Sequence, residues 1–242
     1  MTPRPLPSPN ADDRPAGAAV DHLVLHYTGM RSAEAAIARL CDPDARVSAH
    51  YVVDADGGVT ALVPEVLRAF HAGVSVWRGV RGLNDRSIGI EIVNPGHDWG
   101  YVPFPPAQMR AVAALARGIV ARWPIPARNV VAHSDIAPDR KRDPGEKFPW
   151  AWLARQGVGL WTDRRGAVGG EMEDDLAAIG YDGTVAPEIV IAAFQRRFRR
   201  SRVDGVADGE TRARIAAIRR LMDCDGAEGA DRGARALSCG GS

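Results

Sequence analysis

The sequence is short of cysteine, lysine, aromatic side chains and long apolar runs, and each shortage excludes something. Its three cysteines, Cys41, Cys224 and Cys239, are widely spaced with no C-x-x-C pair. An odd, scattered set supports neither a disulfide framework nor a cysteine zinc site, so they are read as buried or incidental thiols. No apolar stretch approaches the ~18 residues that a membrane-spanning helix needs. Formal net charge is only +1, so no global field demands nucleic acid or a membrane surface as partner. The stretch from Met1 to Gly17 is rich in Pro, Asp and Arg and lacks the apolar centre of a secretory signal. As written, the chain is expected in the cytoplasm. A missing leader or a non-standard export route would place it in the cell envelope or periplasm.

What is present is ordinary for a globular chain: 242 residues, 45% hydrophobic and 25% charged. That length suits a medium domain plus a small one. Residues 1–19 read as a disordered arm, 20–161 as the main domain, 168–222 as a three-helix unit and 223–242 as a flexible tail. Asp21 to Tyr27 alternates into a strand with His26 near its end, closed by Thr28 and Gly29. Ser32 is the N-cap expected for a helix over 33–40. Two short strands, 49–53 and 59–63, flank Asp54-Ala55-Asp56-Gly57-Gly58, a hairpin signal. The 87–94 strand carries an unexpected carboxylate, Glu91. Pro105 and Pro106 open a helix whose Met109, Val112, Ala116, Ile119, Val120 and Trp123 share one face. Val130-Val131-Ala132 is the next strand. A short helix follows near 148–153, with Trp150 and Trp152 read as core or rim.

Beyond Trp161 the texture changes, and 162–170 is Arg- and Gly-rich, a linker. Asp182-Gly183-Thr184-Val185-Ala186 is echoed 22 residues later by Asp204-Gly205-Val206-Ala207-Asp208. Each precedes a helical run. With a helix near 172–179 these make the three-helix unit, small but able to fold alone. The Arg-rich run from Arg196 to Arg202 is read as a solvated helix face rather than a nucleic-acid surface.

The chemistry concentrates around His133-Ser134-Asp135-Ile136-Ala137-Pro138-Asp139-Arg140-Lys141-Arg142-Asp143. His26, His133 and Asp143 all stand at strand ends or in the following loop, where a rigid sheet presents functional groups. Two imidazoles and a carboxylate suit zinc with a fourth position open to water; alternatively each His caps a strand. Glu91 shares a face with Gly89 and Val93. Buried, its carboxyl has a raised pKa and can act as acid or base; on an exposed face it is unremarkable. Lys141 is one of two lysines, with Lys147, among 31 basic residues. It could stabilise an oxyanion or be a solvated loop cation. His50 and His71 are weaker candidates for substrate or supporting contacts.

These segments, in order, resemble a known family. Leu25-His26-Tyr27-Thr28, Ser48-Ala49-His50-Tyr51, Asn84 to Glu91, Ala132 to Pro138 and Arg140 to Gly145 together resemble the zinc-dependent N-acetylmuramoyl-L-alanine amidases of the type 2 amidase family, over roughly residues 20–155. The resemblance implies an α/β fold with a mixed central β-sheet flanked by helices, as in the peptidoglycan recognition proteins. It implies one zinc per chain on His26, His133 and Asp143, with Glu91 and Lys141 catalytic. His50, His71 and Trp77 fall in segments similar to cleft-lining parts of the family and are expected to bind substrate. Residues 168–222 resemble a small three-helix peptidoglycan-binding domain, through Phe194-Gln195-Arg196-Arg197-Phe198 and Val203 to Asp208. The expected partner is peptidoglycan or a muropeptide, the expected state a monomer, and the expected reaction cleavage of the bond between N-acetylmuramic acid and L-alanine. The rival is a non-catalytic peptidoglycan-binding sensor on the same fold. Such a sensor should lack a zinc ligand or the catalytic pair, and here all five positions are filled.

Overall fold

A computed structural model of the chain describes residues 2–238, with side chains described as far as Cys224. In chain order its strands are β1 (Arg4–Pro5), β2 (Ala11–Asp13), β3 (His22–Tyr27), β4 (Tyr51–Val53), β5 (Val59–Ala61), β6 (Leu67–Ala69), β7 (Val76–Trp77), β8 (Val80–Arg81), β9 (Ser87–Ile92) and β10 (Val130–Ala132). The helices are α1 (Ala33–Cys41), α2 (Pro106–Arg122), α3 (His133–Ile136), α4 (Trp150–Arg155), α5 (Met172–Ile179), α6 (Pro187–Phe198) and α7 (Gly209–Ser238).

Six strands form one mixed sheet in the order β1-β5-β4-β9-β3-β10. The four strands from β4 to β10 run parallel, and β5 is antiparallel to β4. This is the α/β architecture expected. The register explains the two faces. His22, Val24 and His26 of β3 lie opposite Ser87, Gly89 and Glu91 of β9, while Leu23, Leu25 and Tyr27 lie opposite Ile88, Ile90 and Ile92. Alternation sends each set to one side of the sheet. The aliphatic set packs under α2, against Met109, Val112, Ala116 and Ile119. Helix α2 starts at Pro106 and is seated by the buried Gln108, whose Nε2 donates to Val53 O (3.1 Å) and Val93 O (2.8 Å). The other set turns to the opposite face, where Val24 joins an apolar cluster with Val131 and Phe194 and Glu91 borders a cleft at the carboxyl ends of the parallel strands, the place where open α/β sheets put their ligands.

Three expectations are corrected. First, 1–19 is not a disordered arm in its described part. β1 pairs with β5, β2 with β6, and the buried Asn10 donates to Asp42 O (2.8 Å) and Val47 O (2.9 Å). Arg14 reaches further in, donating to the carbonyls of Asn84, Asp85 and Ser87 (2.9–3.1 Å). A polar composition suggested a solvated arm, but its donors answer carbonyls that the loops leave unpaired.

Second, the C-terminal helices do not close on a core of their own. Leu176, Ile179, Tyr181, Phe194 and Ile218 share one cluster with Val24, Val131, Ile136 and Trp77 of the main domain. Third, the Arg run is only in part a solvated face, that of Arg200 and Arg202. Arg197 and Arg199 are buried, Arg197 paired with Asp135, and Arg199 with Asp208 and Glu210. Helix α7 runs through the start of the expected flexible tail. Residues 239–242, with Cys239, lie outside the described residues.

Candidate metal centre

His26 comes from β3 one residue before its end, His133 opens α3 directly after β10, and Asp143 lies in the loop beyond. Their ligand atoms converge. His26 Nδ1 and His133 Nδ1 are 2.9 Å apart, and Asp143 Oδ2 lies 3.1 Å and 3.0 Å from them. All three residues are buried. Three donors around a tetrahedral zinc, each at about 2.0–2.1 Å, lie roughly 3.3 Å apart, so the triangle has the size of a metal site.

The surrounding hydrogen bonds set the tautomers. His133 Nε2 faces the carbonyl of Ala72 at 3.3 Å; a carbonyl only accepts, so Nε2 carries the proton and Nδ1 keeps its lone pair. For His26 the chain is longer. Ser87 Oγ donates to Leu83 O at 2.5 Å, which frees it to accept from His71 Nε2 at 3.2 Å. His71 Nδ1 then accepts from His26 Nε2 at 3.1 Å, leaving His26 Nδ1 bare. Both imidazoles thus present a lone pair to one point, held by groups of the kind that orient metal-binding histidines. Burial, then the neighbouring His133, lower the His26 pKa to about 4, and burial lowers that of His71 well below the usual range. Burial alone would raise Asp143; the two imidazoles outweigh it and hold the carboxyl well below its ordinary value.

Glu91 lies opposite His26 in register and lines the same cleft, a cavity of about 380 Å³ that Lys141 also borders. Its Oε2 is buried with no hydrogen-bond partner among the described residues. Burial, and then the charge of Asp143, push its pKa well above the usual carboxylate range, with Lys141 pulling the other way.

Of the three weaker candidates the structure brings one to the cleft. His71 borders it, with its ring committed to His26 and Ser87. His50 is fully buried; its Nδ1 accepts from Gly89 N at 3.0 Å and its Nε2 faces Leu67 O at 3.2 Å. The expectation that Trp77 contacts substrate is corrected: it is fully buried, donates Nε1 to Arg128 O (3.2 Å), and packs edge-on against Tyr181. The Ser87 link was missed. Gly89 was its signal: a Cβ there would meet the His71 ring at 2.5 Å, and a glycine inside a strand often marks such a close approach.

Residues 16–146 match the family described as N-acetylmuramoyl-L-alanine amidase. The chain belongs to that family. It is 42% identical over 223 residues to the N-acetylmuramoyl-L-alanine amidase AmiD of Escherichia coli K12, covering 79% of each chain. A solved complex of E. coli AmiD with the substrate anhydro-N-acetylmuramic acid-L-Ala-D-gamma-Glu-L-Lys superposes with a TM-score of 0.73 at 39% identity, covering 85% of this chain and 91% of that one. The 1,6-anhydro-N-acetylmuramyl-L-alanine amidase AmpD of E. coli K12 is 38% identical over an alignment 165 residues long, with coverage of 61% of this chain and 88% of AmpD. The fold and family expectations are borne out. Among the described residues no helix is long and apolar enough to cross a membrane.

Proposed function

We propose that this amidase is zinc-dependent and hydrolyses the amide between the lactyl group of N-acetylmuramic acid and the L-alanine that begins the stem peptide, in peptidoglycan or its soluble fragments. The observation that carries the reading is the convergence of two lone-pair-bearing imidazole nitrogens and one carboxylate oxygen on one point, beside a buried carboxyl in the same cleft. His26, His133 and Asp143 would hold the metal. Zinc bound there supplies Lewis acidity for the scissile carbonyl and for the attacking water.

The chain's own groups do the rest. Glu91 takes a proton from the attacking water as the C–O bond forms and delivers it to the amine nitrogen as the C–N bond breaks. Its raised pKa brings that exchange nearer to neutral pH. Lys141, across the cleft, offers an ammonium to the oxyanion, a contribution of roughly 3–4 kcal/mol for a well-placed donor. His71 and the Ala72 carbonyl keep the two ligand rings in place. The α5–α7 unit would hold the enzyme on the polymer and raise the local substrate concentration. Action as a monomer in wall turnover or fragment recycling fits this arrangement.

Glu91→Ala tests the assignment of roles. The variant should keep its zinc and lose 10²–10⁴-fold in hydrolysis, the range for a general base. Loss of the metal together with activity would show Glu91 to be a ligand and overturn the scheme.

A further inference from the structure

The C-terminal unit touches the candidate metal centre through one buried polar cluster. Asp135, two residues after His133 and within α3, is fully buried. Its Oδ2 accepts from Ala132 N at 2.9 Å, the acid of the first helical turn reaching back to the residue before it. Its two remaining partners come from beyond the linker. Arg197 of α6 donates Nη1 to Oδ2 at 2.5 Å, and Tyr181, just after α5, donates its hydroxyl to Oδ1 at 2.9 Å. Arg197 also donates Nη2 to Val130 O of β10 at 3.0 Å, and its guanidinium lies 4.1 Å over the Trp150 ring. One side chain of the C-terminal unit therefore grips both the strand that delivers His133 and the turn that carries it. The position of His133 depends on that turn, because Ala137 N and Ser134 N close it onto His133 O and Asp143 O.

We infer that the C-terminal unit is a working part of the metal centre: Arg197 and Tyr181 are positioning residues that hold His133, through Asp135, in the geometry the metal needs. This goes beyond polymer anchoring, and it rests on His133 being a metal ligand. An anchor that only tethers could be loosened with no effect on the metal. A unit that supplies two of the partners of a buried carboxylate under the ligand cannot. Arg197 suits the role because its planar fork serves Asp135 and Val130 O at once, which a lysine ammonium would not reproduce.

The test uses the full chain. Zinc affinity is measured by chelator competition, with folding checked by circular dichroism and Tm, for wild type, Arg197→Met, Arg197→Lys, Tyr181→Phe and Arg202→Met. The last removes an exposed arginine paired within the C-terminal unit to Asp204 and Asp208. We expect Arg197→Met to weaken zinc about 10–100-fold, the range for losing a partner that supports a metal ligand. Arg197→Lys should recover part of this, Tyr181→Phe should weaken zinc by a smaller factor, and Arg202→Met should leave it unchanged. Folded Arg197→Met and Tyr181→Phe with wild-type zinc affinity would overturn the inference. Should Arg197→Met fail to fold, Tyr181→Phe decides alone: unchanged affinity overturns, a several-fold loss supports. A wild-type chain that takes up no zinc would overturn the metal reading first and this inference with it, so the two failures are told apart.

Discussion

Glu91 is held in the cleft at a cost to the fold. Its carboxyl lies in a cleft with Oε2 buried and unpartnered, and burial is the main reason its pKa stands well above 4.5. A carboxyl whose folded pKa exceeds its unfolded value keeps its proton better in the fold. The stability tied to that proton is full below the unfolded pKa and is lost as pH rises through the raised folded value. At pH 7, above the unfolded value, the burial of Glu91 therefore destabilises the metal-free protein. Glu91→Gln should raise the Tm of the chelated protein by about 2–4 °C at pH 7, near 1 kcal/mol for a chain of this size, and the gain should vanish at pH 4. A lower Tm at pH 7 would mean that the carboxylate has a stabilising partner after all. Glu91 was legible as a candidate in the sequence because a glutamate in a run of isoleucines breaks the pattern. Asp135 was not legible, since an Asp three residues into a Pro-rich segment looks like any solvated turn residue.

At the scale of elements, the β3–β9 register does most to build the site. It sets His26 beside Glu91 and leaves Gly89 as a gap for the His71 ring. Gly89→Ala would place a methyl 2.5 Å from that ring. The ring must leave, and with it the support of His26 Nε2. Zinc affinity should fall at least ~10-fold in an otherwise folded protein, read by chelator competition; unchanged affinity would show that His71 plays no part in orienting His26. The strands β3, β4, β5, β9 and β10 and the helices α1, α2, α5 and α6 could be anticipated because each buries a periodic face or is bounded by a cap or a turn. The strands β1, β2, β6, β7 and β8 could not, because neither an apolar run nor a recognisable turn marks them and the pairing of β1, β2 and β6 is decided by distant partners. Trp77 was misplaced for the same reason: its burial depends on Tyr181, about a hundred positions away in the sequence.

Across the described residues, the N-terminal segment and the C-terminal helices both pack onto the domain that carries the site. The N-terminal segment pairs with β5 and β6 and sends Arg14 under the cleft, where it donates to the carbonyl of Ser87, whose hydroxyl belongs to the His71 chain. Arg14→Ala strands several partly buried carbonyls. It should cost about 2–3 kcal/mol, which is roughly 5–10 °C in Tm, measured by thermal unfolding; a shift under 1 °C would mean water replaces the guanidinium without loss. The C-terminal helices close the other flank through the Asp135 cluster and an apolar core shared with the sheet. Composition could divide the chain into segments, but it could not show that Arg197 and Arg199 of the last segment point inward. Charge is read as solvent-facing until a buried partner is known.

The central claim is that His26, His133 and Asp143 hold a zinc ion and that Glu91 and Lys141 use it to cut the muramoyl–alanine bond. The most direct test is a paired measurement on the purified full chain: zinc per chain, and release of stem peptides beginning with L-alanine from purified peptidoglycan, with and without a chelator. One zinc per chain, with release that the chelator abolishes and added zinc restores, is the predicted result. Tight binding of the polymer without peptide release, in the presence of excess zinc, would contradict it and mark the protein as a sensor.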